Sequence, residues 1–145
     1  MNNVIEDSDI ATNCHCGKLR AASRTITKVY DDALRPVGIK ANQLTILVAT
    51  SLIGPVSITD LAKAISTERT TLVRNLKLIE NEDLILIEQK SGRTKWVSIT
   101  TKGKKTIAKA KPLWKEAQAH VHKAMGMDKM KKLNNTLNEI SRALD

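Results

Sequence analysis

The sequence contains no phenylalanine, one tyrosine and two tryptophans in 145 residues. A chain this poor in rings that is still 41 % hydrophobic must build its core from Leu, Ile, Val and Ala, which suits packed helices. No stretch approaches the roughly 18 consecutive apolar residues of a membrane span, so no transmembrane helix is expected. The opening MNNVIEDSDIATN is acidic and polar. It has neither the basic start nor the apolar run of a secretion signal, so the expected location is the cytoplasm. There are only two cysteines, Cys14 and Cys16. They cannot supply a disulfide framework, and at i and i+2 they point to different sides of a helix, so a bridge between them is strained. A metal site at Cys14-His15-Cys16 is not expected either, because adjacent helical residues cannot all face one ion and structural zinc takes about four ligands. No glycine-rich phosphate loop, HExxH pair or nucleophile elbow is present, which argues against an enzyme, and no cofactor is expected.

What the chain has is positive charge in one place. The net charge is +9. From residue 89 to residue 115 there are nine Lys or Arg and no Asp or Glu, while the rest is close to balanced. A basic block is commonly a solvated face. This one covers elements that would lie against phosphates if the chain binds nucleic acid.

Periodicity predicts a mainly helical chain of one domain, 1–145. Residues 1–10 read as a mobile tail. Leu19, Ala22, Ile26, Val29 and Ala33 recur at helical spacing and predict a helix over 13–34, capped by Thr12 or Asn13 and ended by Pro36 and Gly38. A second helix is expected over 42–52, stopped by Gly54 and Pro55. Near the C-terminus, Ile107, Ala110, Trp114, Ala117, Val121 and Ala124 form the inward stripe of a long helix over 101–124 capped by Thr101. Pro112 should kink or break that helix. Met130, Leu133, Leu137, Ile140 and Leu144 predict a last helix over 128–144.

Between these helices, 57–101 reads as short helix, turn, longer helix and two strands. Ser57 or Thr59 can cap the short helix, whose inward residues are Ile58, Leu61, Ala62 and Ile65. Ser66 and Thr67 are a second cap signal, and the helix after them runs to about Asn81 with Leu72, Leu76 and Ile79 inward. Its opposite face holds Thr67, Thr70, Arg74, Lys77 and Asn81. Strands are expected at 84–88 and 95–99, joined by a tip, Lys90-Ser91-Gly92-Arg93-Thr94, that contains the glycine a hairpin needs. That order is a winged helix-turn-helix.

With those residues in view, the chain resembles the MarR family of bacterial transcription regulators. The likeness runs from Cys14 to Leu144. It is carried by Tyr30 with the exit Pro36-Val37-Gly38, by Gln43, and by Leu61-Ala62. Arg69-Thr70-Thr71-Leu72-Val73-Arg74, Ile79-Glu80 and Leu84-Ile85 continue it, as do Gly92-Arg93-Thr94-Lys95 and Ile99-Thr100-Thr101-Lys102-Gly103. The chain departs from the pattern in two places. Gln89, Lys90 and Ser91 stand where a wing aspartate is usual, and Asp83 replaces a glycine after the second helix, where Asp tolerates left-handed geometry.

The expected fold is therefore mainly α with a small β-hairpin wing, a winged helix-turn-helix over 41–100 flanked by dimerisation helices over 11–35 and 102–145. The expected function is that of a DNA-binding transcription regulator, a ligand-responsive repressor that reads a palindromic operator as a homodimer. Candidate contacts to double-stranded DNA are Ser57, Thr67, Arg69, Thr70, Thr71, Arg74, Lys77, Lys90, Arg93 and Lys95. Thr70, Thr71 and Arg74 suit bases or phosphates, Arg69 and Lys77 phosphates, and Arg93 a narrow minor groove supported by Lys90 and Lys95. The resemblance further implies a small aromatic or phenolic effector between the dimer helices and the reading module. It also places Cys16 at the reactive cysteine of the family's organic-hydroperoxide-sensing branch, and Tyr30 at one of that branch's two cysteine-orienting tyrosines. Arg20 occupies the other tyrosine's position. Two alternatives remain open on the sequence: a thiol-based redox regulator acting through Cys16, and a helical protein–protein module that never binds DNA.

Overall fold

The computed structural model describes residues 4–90 and 92–144. Residues 1–3 of the expected tail, Ser91 of the expected hairpin tip and Asp145 lie outside them. The tail is shorter than expected, because a helix α1 (Asp7–Asn13) forms within it. Glu6 N–H donates to Asp9 Oδ2 at 3.1 Å, which closes its first turn. The chain then breaks at Cys14, in extended geometry, before α2 (His15–Leu34). The cap of α2 is Cys14, not Thr12 or Asn13: its Sγ accepts the Gly17 N–H at 3.4 Å. A 3-10 turn over Arg35–Val37 ends in left-handed Gly38, as proline and glycine there require.

Next come α3 (Ala41–Ile53), β1 (Val56–Ser57), α4 (Ile58–Ala64) and α5 (Arg69–Asn81). Strands β2 (Ile85–Gln89) and β3 (Lys95–Ile99), then helices α6 (Thr101–Met125) and α7 (Met127–Ala143), complete the chain. The sheet has three strands, in the order β1-β3-β2, all antiparallel. The short edge strand β1 is not apparent in the sequence, since two residues carry no alternation. It forms because Val56 pairs with Val97 and Ser57 with Trp96.

The core lies where α3, α4, α5 and the start of α6 close over the sheet. Leu34, Leu47, Leu61, Leu72, Leu76, Ile79 and Val97 are fully buried in it. Each such side chain contributes about 1.5–3 kcal/mol by leaving water. The stripes of α2 and α7 contribute little of this kind within one chain: Leu19, Ile26, Leu137 and Ile140 are exposed.

The expected cap of α6 and a break in it at Pro112 are corrected. Its N-cap is Thr100 rather than Thr101, with Thr100 Oγ1 accepting the Gly103 N–H at 2.9 Å. The helix also runs unbroken through Pro112. Pro112 and Ala108 are both exposed, so the carbonyl that proline leaves without a donor can turn to water. Buried Ile107, Ala110, Ala117 and Val121 meanwhile hold the segments on both sides. Among the described residues, no single helix is long and apolar enough to cross a membrane.

Candidate nucleic-acid interface

Helices α4 and α5 form the helix-turn-helix. Ser57 was expected at the DNA surface, but it is nearly buried and caps α4. Its Oγ accepts the Asp60 N–H at 3.1 Å and donates to Asp60 Oδ2 at 2.7 Å. The turn between the helices passes through Ser66 at φ +51°. The Thr67 N–H donates back to the Ala62 carbonyl at 3.0 Å, and Thr67 is half-buried. Helix α5 therefore starts later than the Ser66-Thr67 signal suggested, with Glu68 at its N-cap.

Burial of Leu72, Leu76 and Ile79 fixes which way α5 faces. At about 100° per residue, Thr70 and Arg74 then point away from the core, with Thr71 and Lys77 toward its flanks. All four are exposed, as is Arg69 in the first helical turn. Leu78 is exposed as well, and nothing in the fold accounts for it.

The wing rises beside this helix. In β2 and β3, Glu88 pairs with Trp96 and Gln89 with Lys95. Gly92 turns the tip at φ +68°, which leaves Arg93 exposed. Lys90 Nζ stands 5.9 Å from the centre of the Trp96 ring, a cation–π contact across the hairpin. The base of the wing is stitched to α5 and α6. Thr100 Oγ1 donates to the Asp83 carbonyl at 2.7 Å, and Lys102 Nζ to the Glu82 carbonyl at 2.8 Å. Asp83 takes φ +58°, so the aspartate in the glycine position does make the left-handed turn.

Between α5 and the wing lies a groove of about 610 Å³. Arg69, Val73, Lys77 and Glu80 line it from the helix, and Ile87, Gln89, Arg93 and Lys95 from the wing. Four cations face one carboxylate there. Among the described residues none of these cations is held in a salt bridge, so their charge is available to phosphates. The structure thus brings Arg69, Lys77, Arg93 and Lys95 together at one groove, leaves Thr70, Thr71, Arg74 and Lys90 exposed on the helix and the wing, and sets Ser57 apart as a cap.

A second cavity, of about 920 Å³, lies between α2, α3 and α6. Its wall is almost wholly apolar: Leu34, Leu44, Val48, Ala49, Leu52 and Ile107, with Tyr30, Trp114, Lys111 and Lys115. Trp114 was expected in the inward stripe of α6; instead it is 43 % exposed and walls this cavity. Tyr30 is half-buried, and its hydroxyl donates to Gln118 Oε1, joining α2 to α6. Burial raises the Tyr30 pKa above the usual tyrosine value.

Cys16 is exposed, and Arg20 Nη2 stands 3.7 Å from its Sγ. Tyr30 is 14 positions further along the same helix, about 21 Å away, so one chain does not bring the pair together. The sequence reading did not single out Lys111, nor Asn42 and Asn75, which join α3 to α5. A lysine within a basic block and asparagines within helices carry no periodic signal that would mark them.

Scans against protein-family models and curated proteins find no match. Solved structures do match. The transcriptional regulator MosR of M. tuberculosis is 32 % identical, over 91 % of this chain and 98 % of that one, with a TM-score of 0.77. Its complex with DNA gives 33 % identity over the same shares and a TM-score of 0.79. A mutant of the E. coli regulator MarR, complexed with operator DNA, is 16 % identical over 93 % of this chain and 99 % of that one. Its TM-score of 0.81 speaks for the fold. By sequence identity over nearly a whole regulator, by fold and by the arrangement of reading helix and wing, the chain belongs to the MarR family of transcriptional regulators.

Proposed function

We propose that the protein reads a palindromic operator as a homodimer, acting in the cytoplasm as a repressor that a small apolar effector releases. One observation carries the DNA-binding part: α5 and the wing border a single groove in which Arg69, Lys77, Arg93 and Lys95 are, among the described residues, free of salt bridges. In this reading Thr70, Thr71 and Arg74 enter the major groove. A threonine methyl suits a thymine methyl, and Arg74 suits guanine O6 and N7. Arg69, Lys77, Lys90 and Lys95 serve phosphates, which position the protein and make binding salt-sensitive. Arg93 suits the minor groove next to the helix.

The exposed apolar faces of α2 and α7 support the homodimer. Leu19 and Ile26 on α2, and Leu137 and Ile140 on α7, stay in water in a single chain. A two-fold partner would cover them and would match an inverted repeat in DNA. The cavity supports the effector. It is apolar enough for a ring, and Lys111 and Lys115 at its wall suit a phenolate or carboxylate. An occupant releases DNA only if it prefers a dimer whose recognition helices are spaced wrongly for the operator.

The test is titration of the purified protein against its own upstream intergenic DNA and a scrambled duplex, at two salt concentrations. Tighter binding to the native fragment that persists at higher salt is expected. Equal and salt-sensitive binding to both would reduce the protein to a non-specific basic binder, and no binding to either would favour a helical interaction module.

A further inference from the structure

The recognition helix is seated by three buried aliphatic side chains, Leu72, Leu76 and Ile79. Among the described residues, only one side-chain hydrogen bond ties it to another element. Asn42, in the first turn of α3, donates through Nδ2 to Oδ1 of Asn75 at 2.9 Å. Asn75 in turn donates through its own Nδ2 to the main-chain carbonyl of Thr71, one helical turn back, at 3.0 Å. The second bond uses the amide nitrogen of Asn75 and so leaves its oxygen to face Asn42.

Asn42 is itself firmly placed. The neighbouring Ala41 N–H donates to Asp31 Oδ1 of α2 at 2.7 Å, and the Lys40 N–H to Gln43 Oε1 at 2.8 Å. The start of α3 is therefore pinned to α2, and a line of polar contacts runs from Asp31 to the Thr71 carbonyl. Burial of these side chains sets which face of α5 turns inward, but being non-directional it leaves small rolls about the axis less sharply defined. A hydrogen bond is directional and weakens steeply when misaligned. Base readout is equally directional, so a small roll of α5 moves Thr70, Thr71 and Arg74 off their partners together.

We infer that Asn42 is a positioning residue for base reading: through Asn75 it fixes the roll of the recognition helix against α3. The inference rests on the DNA-reading role proposed above and asks nothing of the cavity. It predicts a defect in selectivity rather than in folding, since Asn42 is exposed and Asn75 half-buried.

The experiment uses a duplex that the wild-type protein selects from a random library, a scrambled version of it, and the variants Asn42→Ala, Asn75→Ala and the double. Each single variant should lose about three- to tenfold in affinity for the selected duplex and little on the scrambled one, with the double no weaker than the weaker single. Thermal midpoints should stay close to that of the wild type. Losses that multiply in the double variant would overturn the inference, because each asparagine would then be an independent DNA contact. Equal losses on both duplexes would overturn it too, as a general effect on folding or charge. A wild-type protein that selects no sequence at all would remove the DNA-reading role and the inference with it, and that failure is visible before any variant is made.

Discussion

Gln89 Nε2 donates to the carbonyl oxygen of Gly92 at 2.7 Å, closing the wing across its own tip. The family pattern has an aspartate near this point, which this wing lacks. The side-chain amide of Gln89 braces the turn instead, next to the Lys90–Trp96 contact. Gln89→Ala should therefore weaken operator binding by about 0.5–1.5 kcal/mol, the usual worth of one hydrogen bond. The thermal midpoint should barely move, since Gln89 is exposed. Fluorescence anisotropy on a labelled operator reads the first quantity and calorimetry the second.

Arg74 and Lys77 lie one turn or less apart on α5, yet their losses should look different. Arg74→Ala should cost about 1–3 kcal/mol on the operator and relax the choice of base at one position. Lys77→Ala should weaken binding to all sequences alike and lower the slope of log affinity against log salt by about 1. Titrations on the operator and its single-base variants over a salt series separate them. Unchanged operator affinity in Arg74→Ala would remove that residue from the site.

Gly103 is where α6 passes closest to the wing base. A Cβ there would stand 2.2 Å from the Leu84 carbonyl oxygen and 2.7 Å from Ile99 Cδ1. The first of these is main chain and cannot rotate away. Gly103→Ala should destabilise the fold by about 1–3 kcal/mol through overpacking. Denaturant unfolding measures it, and a neutral result would mean that α6 can shift from the wing without loss.

Tyr30→Phe removes the hydroxyl that joins α2 to α6 through Gln118, at about 0.5–1.5 kcal/mol near neutral pH. The Tyr30 pKa is raised by burial. A raised pKa means the folded protein holds its proton more tightly than the unfolded chain. The stabilisation is then complete below the unfolded value of about 10 and is lost as pH rises through the folded value. The wild type should accordingly fall toward the Tyr30→Phe variant above about pH 10. Unfolding curves across that range would show a constant gap if the hydroxyl were instead well solvated.

Ile140→Asp places a charge in the apolar face of α7 without touching the core, because Ile140 is exposed within one chain. If that face meets a second copy, the variant should sediment as a monomer and lose most of its affinity for an inverted repeat, since half of the contacts depart. A variant that keeps the wild-type mass would place the interface elsewhere.

The reading module was legible because its signals are local. The recognition helix, the strand pattern and Gly92 each announce themselves over a few residues, and the structure puts Thr70, Thr71, Arg74 and Arg93 on exposed positions of helix and wing. Caps were less legible, because several Ser and Thr stand near each helix start. The competition went to Cys14, Glu68 and Thr100. Nor was it legible that α6 would continue past Pro112: the freed carbonyl lies at an exposed position, and buried side chains on both sides hold the helix.

From the order of residues alone came an aliphatic helical domain, a basic helix-turn-helix with a wing, and the outward face of its second helix. Those follow from 3.6-residue and 2-residue periodicity, from turn residues and from the placement of charge, all short-range properties of the chain. Tertiary structure alone decided that Trp114 walls a cavity rather than filling a core, and that β1 completes the sheet. It also brought Asn42 to Asn75 from 33 positions away. Each of these depends on which distant segment packs alongside, and a sequence pattern, which records neighbours along the chain, does not encode neighbours across it.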